Sequence, residues 1–347
     1  MKVLITGGTG FFGMILKSYL KGQKIKYINF DLFVDDQDKK RDSMYQGDLT
    51  KIKDIKNCFH QHGPFDAVYH LAAQLAHDVK SEKFLWESNV IGTKNLLEVS
   101  HLHKVKKFIF TSSNCLWGTP VGRPVKENDK PSPIELYGKS KLEAEKIIWK
   151  YSRKINTIIF RSPTIIAAGR MGLLTMLYEF INENRKVYLV GNGNNRYQFI
   201  YAFDYANAIY RALKSHNHSD IFNIGSDNVK SFNKVYQYVI DKAGSKSKIF
   251  NLPKNLTLLT LKLLYKFKLS PLGPYQYKMI AEDFEFDTKK IKKILDWSPT
   301  RTNEQMLLEA YKFYIKNKEK INKNHNSLSA HRRGFKMGII KLVKFLS

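Results

Sequence analysis

Short apolar runs separated by polar and glycine-rich segments mark the first half of the chain. Residues 2–6 (KVLIT) are apolar and mostly β-branched, and a continuous run of this kind predicts a parallel strand buried on both faces. A second run, IKYINF, ends just before Asp31, and a third, KFIF, occupies residues 107–110. These runs predict the strands of an open α/β sheet, in which ligands collect at the carboxyl ends of the strands.

Three further segments carry helical patterns. Residues 134–152 are rich in amino acids that favour helix. Residues 256–269 (LTLLTLKLLYKFKL) form an apolar stretch, which we interpret as a core helix because amphipathic helices usually face a core. Residues 337–346 (MGIIKLVKFL) place apolar residues at helical spacing with lysines on the other side. This last pattern is typical of a helix that lies on a membrane surface, and packing on a partner subunit is the alternative.

The turn after the first strand has the spacing of a dinucleotide site. Gly7, Gly10 and Gly13 stand at GxxGxxG intervals between a strand and a helix. Such glycines permit a tight turn, close approach of a pyrophosphate and close helix packing, and the helix N-terminus faces the phosphates. Asp31 ends the second strand, where an acid hydrogen-bonds a ribose 2′-hydroxyl and repels a 2′-phosphate. The pattern therefore predicts NAD as the cofactor in preference to NADP.

A tyrosine and a lysine share one face of the helix predicted at 134–152. Tyr137 and Lys141 are four residues apart, so the lysine ammonium can favour the phenolate form of a tyrosine whose ordinary pKa is ~10. Ser113 follows the strand at 107–110, at the edge where ligands bind, and its hydroxyl can hold a substrate oxygen. Together the three residues predict hydride chemistry on an alcohol carbon.

Composition bounds the class of protein. The chain has 347 residues of which 43% are hydrophobic, enough for a large core, and no apolar stretch reaches the ~20 residues that span a bilayer. Its two cysteines, Cys58 and Cys115, argue for a reducing compartment without disulfides and are too few for a zinc cluster, so no metal is expected. The opening residues suit a strand rather than a signal peptide, and we expect a cytoplasmic protein.

The positive charge points to an anionic partner. The net charge is +27, and residues 312–347 alone carry ten Lys or Arg against a single acid, Glu319. Anionic headgroups contribute about 1 kcal/mol per nearby cation, so we expect peripheral contact with the inner face of the membrane through a basic tail at 319–347. No nucleic-acid-binding module is present in the sequence, and nucleic acid is not an expected partner.

At this point the chain resembles the extended short-chain dehydrogenase/reductase family, the NAD-dependent epimerases and dehydratases that mostly act on nucleotide sugars. The resemblance spans residues 1 to about 318 and rests on TGGTGFFG, GDLT, HLAAQ, NVIGT, TSSNCLWG, YGKSK, RSPT, FIYAFDYANAI, FNIG and LDWSP in this order. It implies a Rossmann-type doubly wound parallel sheet with a smaller C-terminal substrate-binding lobe. It also implies a homodimer formed through the helix that carries Tyr137 and the preceding helix.

The resemblance implies a division of the chain and a set of site residues. The NAD-binding core would be 1–165 with 199–225 returning to it, the substrate-binding lobe 166–198 and 226–318, and the tail 319–347. Ser113, Tyr137 and Lys141 would be catalytic. The residues that would line the cofactor are Gly7, Gly10, Phe11, Phe12, Gly13, Asp31, Asp48, Leu49, Leu71, Ala72, Ala73, Asn89, Tyr137, Lys141 and Pro163; those that would line the substrate are Asn114, Cys115, Thr164, Arg170, Arg196 and Tyr197.

Departures from the family pattern reduce the number of reactions that the resemblance implies for this chain. The 4,6-dehydratases have Asp and Glu after the catalytic hydroxyl, and Asn114 and Cys115 stand there instead, which disfavours dehydration. The Cys and His pair of the GDP-fucose synthase branch is incomplete, because Arg170 is the nearest match to the histidine. The arginine that grips the substrate diphosphate in 4-epimerases is replaced by Tyr197, with Arg196 one residue earlier. The ordinary grip on a nucleoside diphosphate is therefore altered.

Three enzymatic functions remain open at this stage. The first is a 4-epimerase of a nucleoside-diphosphate sugar that works through a transient keto sugar. The second is an epimerase or oxidoreductase of a sugar carried on a polyprenyl phosphate at the membrane. The third is a net NAD-dependent dehydrogenase or reductase of a keto sugar or a sterol-like alcohol, which would release reduced cofactor.

Overall fold

The computed structural model of the protein describes residues 1–40, 42–75, 81–216, 218–267 and 273–323. A π-helical segment spans Glu87–Ile91 and a 3₁₀ turn spans Asn114–Leu116. The strands are β1 (Lys2–Thr6), β2 (Lys26–Asp31), β3 (Met44–Gln46), β4 (Ala67–His70), β5 (Lys107–Ser113), β6 (Asn156–Ser162), β7 (Thr164–Ile166), β8 (Val187–Val190), β9 (Phe199–Tyr201), β10 (Asp220–Asn223) and β11 (Ile249–Leu252). The helices are α1 (Phe11–Gly22), α2 (Asp36–Lys39), α3 (Ile52–His62), α4 (Glu82–Trp86), α5 (Gly92–Leu102), α6 (Leu136–Lys150), α7 (Leu174–Asn182), α8 (Ala202–Lys214), α9 (Phe232–Lys242), α10 (Lys254–Lys266), α11 (Pro274–Met279), α12 (Lys289–Leu295) and α13 (Asn303–Lys323).

Seven parallel strands form the central sheet in the order β10-β6-β5-β4-β1-β2-β3. The chain moves from β1 outward to β3 and then returns to β4 on the other side of β1. The order therefore reverses between β1 and β4, which is where open α/β sheets form a ligand crevice at the carboxyl ends of the strands. The predicted fold class, a Rossmann-type doubly wound parallel sheet, is confirmed.

Apolar residues cover both faces of this sheet. On one face, α1, α8 and α12 contribute to a cluster that includes Leu16 and Ile209, both fully buried. On the other face, α3, α5 and α6 contribute to a second cluster that includes Leu97 and Ile148. Since both faces are buried, the strands have the continuous apolar character from which β1 and β2 were predicted.

A third apolar cluster forms beyond the sheet. It gathers residues of α7, α9 and α13, among them Tyr178, Val235 and Tyr314, and two small parallel sheets, β7-β9 and β8-β11, flank the helices. Helix α13 continues to Lys323, past the boundary predicted at 318. The predicted division into core, lobe and tail stays a prediction, and the tail helix predicted at 337–346 lies outside the described residues.

Helix α10 corrects the interpretation of residues 256–269 as a core helix. None of its residues is buried, and its large apolar side chains include several of the most exposed among the described residues. The periodicity predicted the helix correctly but not the direction in which the apolar side faces. Among the residues described here, no helix is both long enough and apolar enough to cross a bilayer.

Candidate active site

The loop between β1 and α1 forms a cradle with unused donors. Gly7 has φ +76° and a Cβ there would stand 2.7 Å from the backbone of Ala72, so no other residue fits without a shift. Helix α1 begins after Gly10 without a side-chain cap, which leaves first-turn N–H groups available to an external acceptor. A phosphate group at this helix end would supply that acceptor. The cradle therefore fits a dinucleotide pyrophosphate.

Asp31 lies beside this loop at the carboxyl end of β2. Its carboxylate accepts hydrogen bonds from the backbone N–H of Thr9 at 3.0 Å and of Phe33 at 3.2 Å. Burial raises the pKa of Asp31, and these hydrogen bonds oppose the rise. The acid is thus positioned by the glycine loop itself, next to the strand end where the ribose of a dinucleotide is expected.

The other residues predicted to line the cofactor follow the adjacent strands. Leu71, Ala72 and Ala73 come directly after β4, and the N–H of Leu71 donates to the carbonyl of Thr6 at 3.1 Å. Asp48 caps the turn after β3 by accepting from the hydroxyl of Thr50 at 2.8 Å. The remaining members of this set are placed as follows: Leu49 is buried after Asp48, Phe11 and Phe12 open α1, and Pro163 joins β6 to β7.

A buried histidine connects the two central strands to α5. His70, at the end of β4, bonds the hydroxyl of Thr6 at 2.7 Å through Nδ1 and that of Thr93 at 2.8 Å through Nε2. The Thr93 hydroxyl donates its single proton to the carbonyl of Asn89 at 2.7 Å, so it accepts from Nε2–H of the histidine. Full burial lowers the pKa of His70 to about 3. The ring is therefore a neutral structural bridge.

Asn89 extends this bridge to the helix that carries Tyr137. Its amide nitrogen donates to the Ser140 hydroxyl at 3.0 Å, and Ser140 donates to the carbonyl of Tyr137 at 2.7 Å. The side chain also exchanges two hydrogen bonds with the backbone of Gln74, at 2.7 and 3.0 Å. Since Asn89 lies in the π-helical segment, a local distortion of the kind often found near functional sites aims this amide. The hydrogen bonds fix α6 against the carboxyl edge of the sheet.

Ser113 and Tyr137 meet at that edge. Ser113 is the last residue of β5. Burial raises the pKa of Tyr137, and the polar contact between the Ser113 hydroxyl and the phenol opposes part of this rise. Gly138 allows this contact, because a Cβ at that position would stand 2.2 Å from the carbonyl oxygen of Cys115. The helix can therefore approach the 3₁₀ turn closely enough to bring the two hydroxyl groups together.

Lys141 lies one turn further along α6 and is almost fully buried. Its ammonium sits over the ring of Phe110, 4.1 Å from the centroid, and in the described part of the chain it has no hydrogen-bond acceptor. Burial lowers the pKa of Lys141 to about 7, and the carboxylate of Glu145 opposes this shift. Glu145 is itself held by Arg161 at 2.7 Å. A buried donor without an acceptor fits a ribose hydroxyl of the cofactor.

The charge state of the tyrosine differs from the sequence-based expectation. We expected Lys141 to favour the phenolate, but burial, the largest effect, raises the pKa of Tyr137 well above its usual value. The same burial lowers the pKa of Lys141, which makes the charged ammonium less favourable. Lys141 therefore does not hold Tyr137 in the phenolate form. The chain's own groups therefore hold a neutral phenol, and any lowering of its pKa needs a further positive charge nearby.

The residues predicted to line the substrate come together in part. The Asn114 amide donates to the hydroxyl of Tyr197 at 2.7 Å, and Thr164 lies against the same hydroxyl. Cys115 lies next to them, and burial raises the pKa of its thiol to about 11. Tyr275 of α11 lies beside Cys115 and Tyr197, and sequence reasoning missed it. No local motif marks Tyr275, because it reaches the site from a distant part of the chain.

The two arginines of the predicted set lie apart from this group. Arg196 pairs with Glu285 at 3.0 Å, and about half of its side chain is exposed. Its neighbour Tyr197 faces the other way, as successive residues of an extended chain do. Arg170 lies over the ring of Phe11, with 5.6 Å between the guanidinium carbon and the ring centroid, and within the described ranges it makes no ion pair. Arg170 thus lies beside the first residue of α1, next to the cofactor cradle.

Comparisons with known proteins agree with this geometry. The chain is 27% identical over 327 residues to a putative UDP-glucose 4-epimerase of Methanocaldococcus jannaschii, covering 85% of this chain and 97% of that protein. It is 29% identical over 245 residues to an Escherichia coli O157:H7 N-acetyl-alpha-D-glucosaminyl-diphospho-ditrans,octacis-undecaprenol 4-epimerase, covering 68% and 66%. The fold matches the structure of Thermotoga maritima UDP-glucose 4-epimerase with UDP-glucose, with TM-score 0.75, 22% identity and coverage of 91% and 99%.

The sequence profile of the NAD dependent epimerase/dehydratase family matches residues 3–225, which is more than half of the chain. This match includes the glycine loop, Asp31 and the helix with Tyr137 and Lys141. The predictions of an enzyme and of NAD as its cofactor are confirmed. The protein belongs to the NAD dependent epimerase/dehydratase family.

Proposed function

We propose that this protein is a sugar 4-epimerase that acts on a nucleoside-diphosphate sugar through a transient keto sugar. The observation that carries the proposal is the meeting of Ser113, Tyr137 and Lys141 at the carboxyl end of β5, beside the cradle formed by the loop of Gly7. The relatives named as 4-epimerases support the reaction type.

Each member of the trio has a distinct task. Bound NAD supplies a hydride acceptor and, in its oxidised form, a positive charge. With its pKa lowered by the positive charge of oxidised NAD, Tyr137 would first release its own proton to solvent. As a phenolate it would then accept the proton of the sugar hydroxyl during oxidation and return it when the keto sugar is reduced. Ser113 holds the substrate oxygen by a hydrogen bond. Lys141 would hold the nicotinamide ribose through its side-chain nitrogen.

The cofactor would be held by the edge of the sheet between β2 and β4. We propose that the first-turn N–H groups of α1 bind the pyrophosphate and that Asp31 binds the adenosine ribose, while Asp48 and Leu49 border the adenine. The cofactor-lining set further contains Gly7, Gly10, Phe11, Phe12, Gly13, Leu71, Ala72, Ala73, Asn89 and Pro163.

The pocket favours epimerisation over dehydration. Elimination of water needs an acid and a base next to the catalytic hydroxyl, and these places hold the amide of Asn114 and the thiol of Cys115. The amide is already bonded to Tyr197, and a pKa of about 11 keeps the thiol protonated near neutral pH. We therefore assign Asn114, Cys115, Thr164 and Tyr197 to the wall of the sugar pocket.

The diphosphate of the substrate is proposed to contact Arg170 rather than Arg196. The Arg196 guanidinium already has a carboxylate partner in Glu285, whereas Arg170 has none in the residues described. An arginine over Phe11, close to the start of α1, can bind phosphate oxygens in a bidentate way. Exchange of Arg170 for methionine is then expected to raise the substrate KM more than it lowers kcat.

A second candidate substrate is a sugar carried on a polyprenyl phosphate. Two observations favour it: the family's usual clamp arginine is replaced by Tyr197, and a relative is named for a lipid-linked sugar. Comparison of kcat/KM for a UDP-sugar and for the same sugar on a short polyprenyl diphosphate separates the two. A larger value for the lipid-linked sugar would replace the first substrate class by the second.

The cellular setting follows from the same proposal. We propose a cytoplasmic enzyme that can contact the inner face of the membrane, and a homodimer formed through α6 and α5. Exposed apolar side chains on these helices, Trp149 and Leu102, support such an interface.

The division into NAD-binding core, substrate lobe and tail is retained as part of the proposal, with the three apolar clusters as its support.

The reaction is tested by following sugar epimers and cofactor together. Purified protein is incubated with UDP-glucose or UDP-N-acetylglucosamine, and NMR measures the ratio of C4 epimers while absorbance measures reduced NAD. We expect interconversion of the epimers without accumulation of NADH. Stoichiometric NADH with a stable keto product would instead identify a net dehydrogenase and would overturn the epimerase proposal.

A further inference from the structure

Helix α10 exposes a continuous apolar stripe to solvent. Leu256, Leu259, Leu263 and Phe267 are 63%, 54%, 48% and 68% exposed. Their spacing of three, four and four residues places them on one side of the helix and its last turn. Isolated exposed apolar residues are common, but a stripe of four large ones marks an interaction surface.

The outward direction of this stripe is fixed by packing on the opposite side. Leu258, Leu261 and Leu264 are half-buried and face the protein. Each end of the helix contacts a later segment of the same chain. Lys254 pairs with Glu282 at 2.9 Å, and the ring of Tyr265 contacts that of Tyr277 in α11, with 6.5 Å between centroids. The stripe cannot turn inward without breaking these contacts.

Positive charge borders the stripe. From Lys254 to Phe267 the sequence contains no Asp or Glu. Lys262 and Lys266 are exposed, and neither is ion-paired within the described residues. Apolar residues in contact with acyl chains, with lysines at the level of anionic headgroups, are the arrangement of helices that lie on membranes.

The charge also decides between possible occupants. A second copy of the same helix would bring lysines against lysines with no acid to compensate, as a two-fold interface places like residues together. The segment 324–347 of this chain has five Lys or Arg and no acid, so it would meet the same repulsion. Nucleic acid would use the lysines but leave the leucines in water. An anionic lipid bilayer satisfies both features.

We propose that α10 docks this protein on an anionic bilayer through Leu256, Leu259, Leu263 and Phe267, with Lys262 and Lys266 on the headgroups. The 13 residues of the helix span ~20 Å, which is shorter than the ~30 Å hydrocarbon core, so α10 lies in the interface. Helix α11, which packs on α10, carries Tyr275 of the sugar pocket. Docking therefore turns the substrate side of the enzyme toward the membrane, whichever sugar carrier it uses.

The full chain is tested by sedimentation with vesicles of phosphatidylcholine containing about one third phosphatidylglycerol, and with pure phosphatidylcholine. The test variant is Leu259→Gln with Leu263→Gln, which removes apolar surface without changing charge or helix propensity. The matched control is Phe203→Gln with Ile294→Gln, two similarly exposed apolar residues on α8 and α12. Soluble-substrate turnover and NAD content are measured for every variant.

We expect wild type and control to bind the anionic vesicles and the test variant to lose at least tenfold in partition coefficient, with turnover and NAD content unchanged. Lys262→Gln with Lys266→Gln should lose at least threefold and remove the preference for phosphatidylglycerol. The proposal is overturned if wild type stays in the supernatant or if the test variant binds the vesicles as well as the control does. It is also overturned if light scattering shows that the test variant no longer forms a dimer, because the stripe would then be a subunit interface. None of these results bears on epimerase activity, which is read separately.

Discussion

Helices α6 and α10 are similar in sequence character but face their surroundings in opposite ways. Both are lysine-rich and amphipathic, yet α6 buries the polar side chains of Ser140, Lys141 and Glu145, while α10 buries nothing and turns leucines outward. In α6 two of these buried polar side chains have hydrogen-bonding partners in the interior: Asn89 donates to Ser140, and Arg161 donates to Glu145. In α10 the apolar groups are outside, where the described part of the protein provides no partner.

The difference shows how each helix relates to function. A buried cation is costly unless partners compensate its charge, and among the described residues Lys141, one turn after Tyr137, has no hydrogen-bond acceptor. An exposed apolar stripe is costly unless something covers it. In both helices the residue that breaks the usual rule of polar outside and apolar inside is the one that indicates function.

The largest effect is expected from matched tyrosines of the two helices. Tyr137→Phe removes the proposed proton carrier and should lower kcat about 10²- to 10⁴-fold, with NAD still bound. Tyr265→Phe, at a position of α10 that is 45% exposed and contacts Tyr277, should leave kcat unchanged. Turnover of a soluble sugar nucleotide measures both. Equal activity of the two variants would remove Tyr137 from the mechanism.

The next effect concerns two acids of α6. Glu145→Gln leaves Arg161 buried without its counter-charge, since the pair is joined at 2.7 Å with both side chains 5% exposed. We expect the free energy of unfolding to fall by about 3 kcal/mol. The control, Glu143→Gln, breaks a surface pair with Lys146 and should cost less than about 0.5 kcal/mol. Denaturant unfolding of both variants provides the comparison, and equal losses would contradict it.

A smaller and opposite effect is expected from the lysines. Burial lowers the pKa of Lys141 to about 7, so Lys141→Met should raise the unfolding free energy of the cofactor-free protein by about 1–3 kcal/mol while it impairs catalysis. Lys262→Met, on the exposed side of α10, should change stability by less than about 0.5 kcal/mol. Chemical denaturation without added NAD measures both values.

The gain from Lys141→Met should depend on pH. Between pH 7 and 10.5 the unfolded chain holds the lysine proton that the folded chain has lost, so the wild-type unfolding free energy contains a contribution that rises with pH in this window. The methionine variant lacks this contribution. Its advantage should therefore be largest at or below pH 7 and shrink toward pH 10.5. A pH-independent advantage would mean that the ammonium is not what burial penalises.

The smallest effect should come from the α10 stripe itself. Because Leu259 and Leu263 are about half exposed, Leu259→Gln with Leu263→Gln should change the unfolding free energy by less than about 1 kcal/mol. Thermal unfolding in vesicle-free buffer measures this change. A loss of several kcal/mol would show that the stripe is covered within the protein or its assembly. Helix α10 would then have a buried face, as α6 has.

Much of the NAD half could be predicted from sequence because its signals are local. Strand, glycine loop, helix and the acid Asp31 follow one another within a few dozen residues, and Ser113 was predicted from its place after a strand. Tyr137 and Lys141 are joined by helical spacing alone. In each case the physical reason for the residue lies within its own element or the next one.

The rest depends on contacts between distant segments. Tyr275 of α11 lies beside Cys115 and Tyr197, in the proposed sugar pocket, and Arg161 reaches Glu145 from β6. Neither contact leaves a local pattern in the sequence. The pKa directions of Tyr137 and Lys141 could not be predicted either, since desolvation outweighs their mutual effect only when the pocket is closed around them. The exposure of the α10 stripe could not be predicted from the sequence, because the periodicity of apolar residues does not show whether the apolar side faces the protein or the solvent.

The most direct test of the central claim follows one hydrogen atom. A sugar nucleotide carrying deuterium at C4 is converted by the enzyme, and mass spectrometry and NMR locate the label in the epimer. Transient oxidation with return of the same hydride predicts that the label stays at C4 of the product. Loss of the label to solvent would mean that the carbon exchanges a proton instead of a hydride, and would contradict the assignment of Tyr137 and NAD to an epimerase.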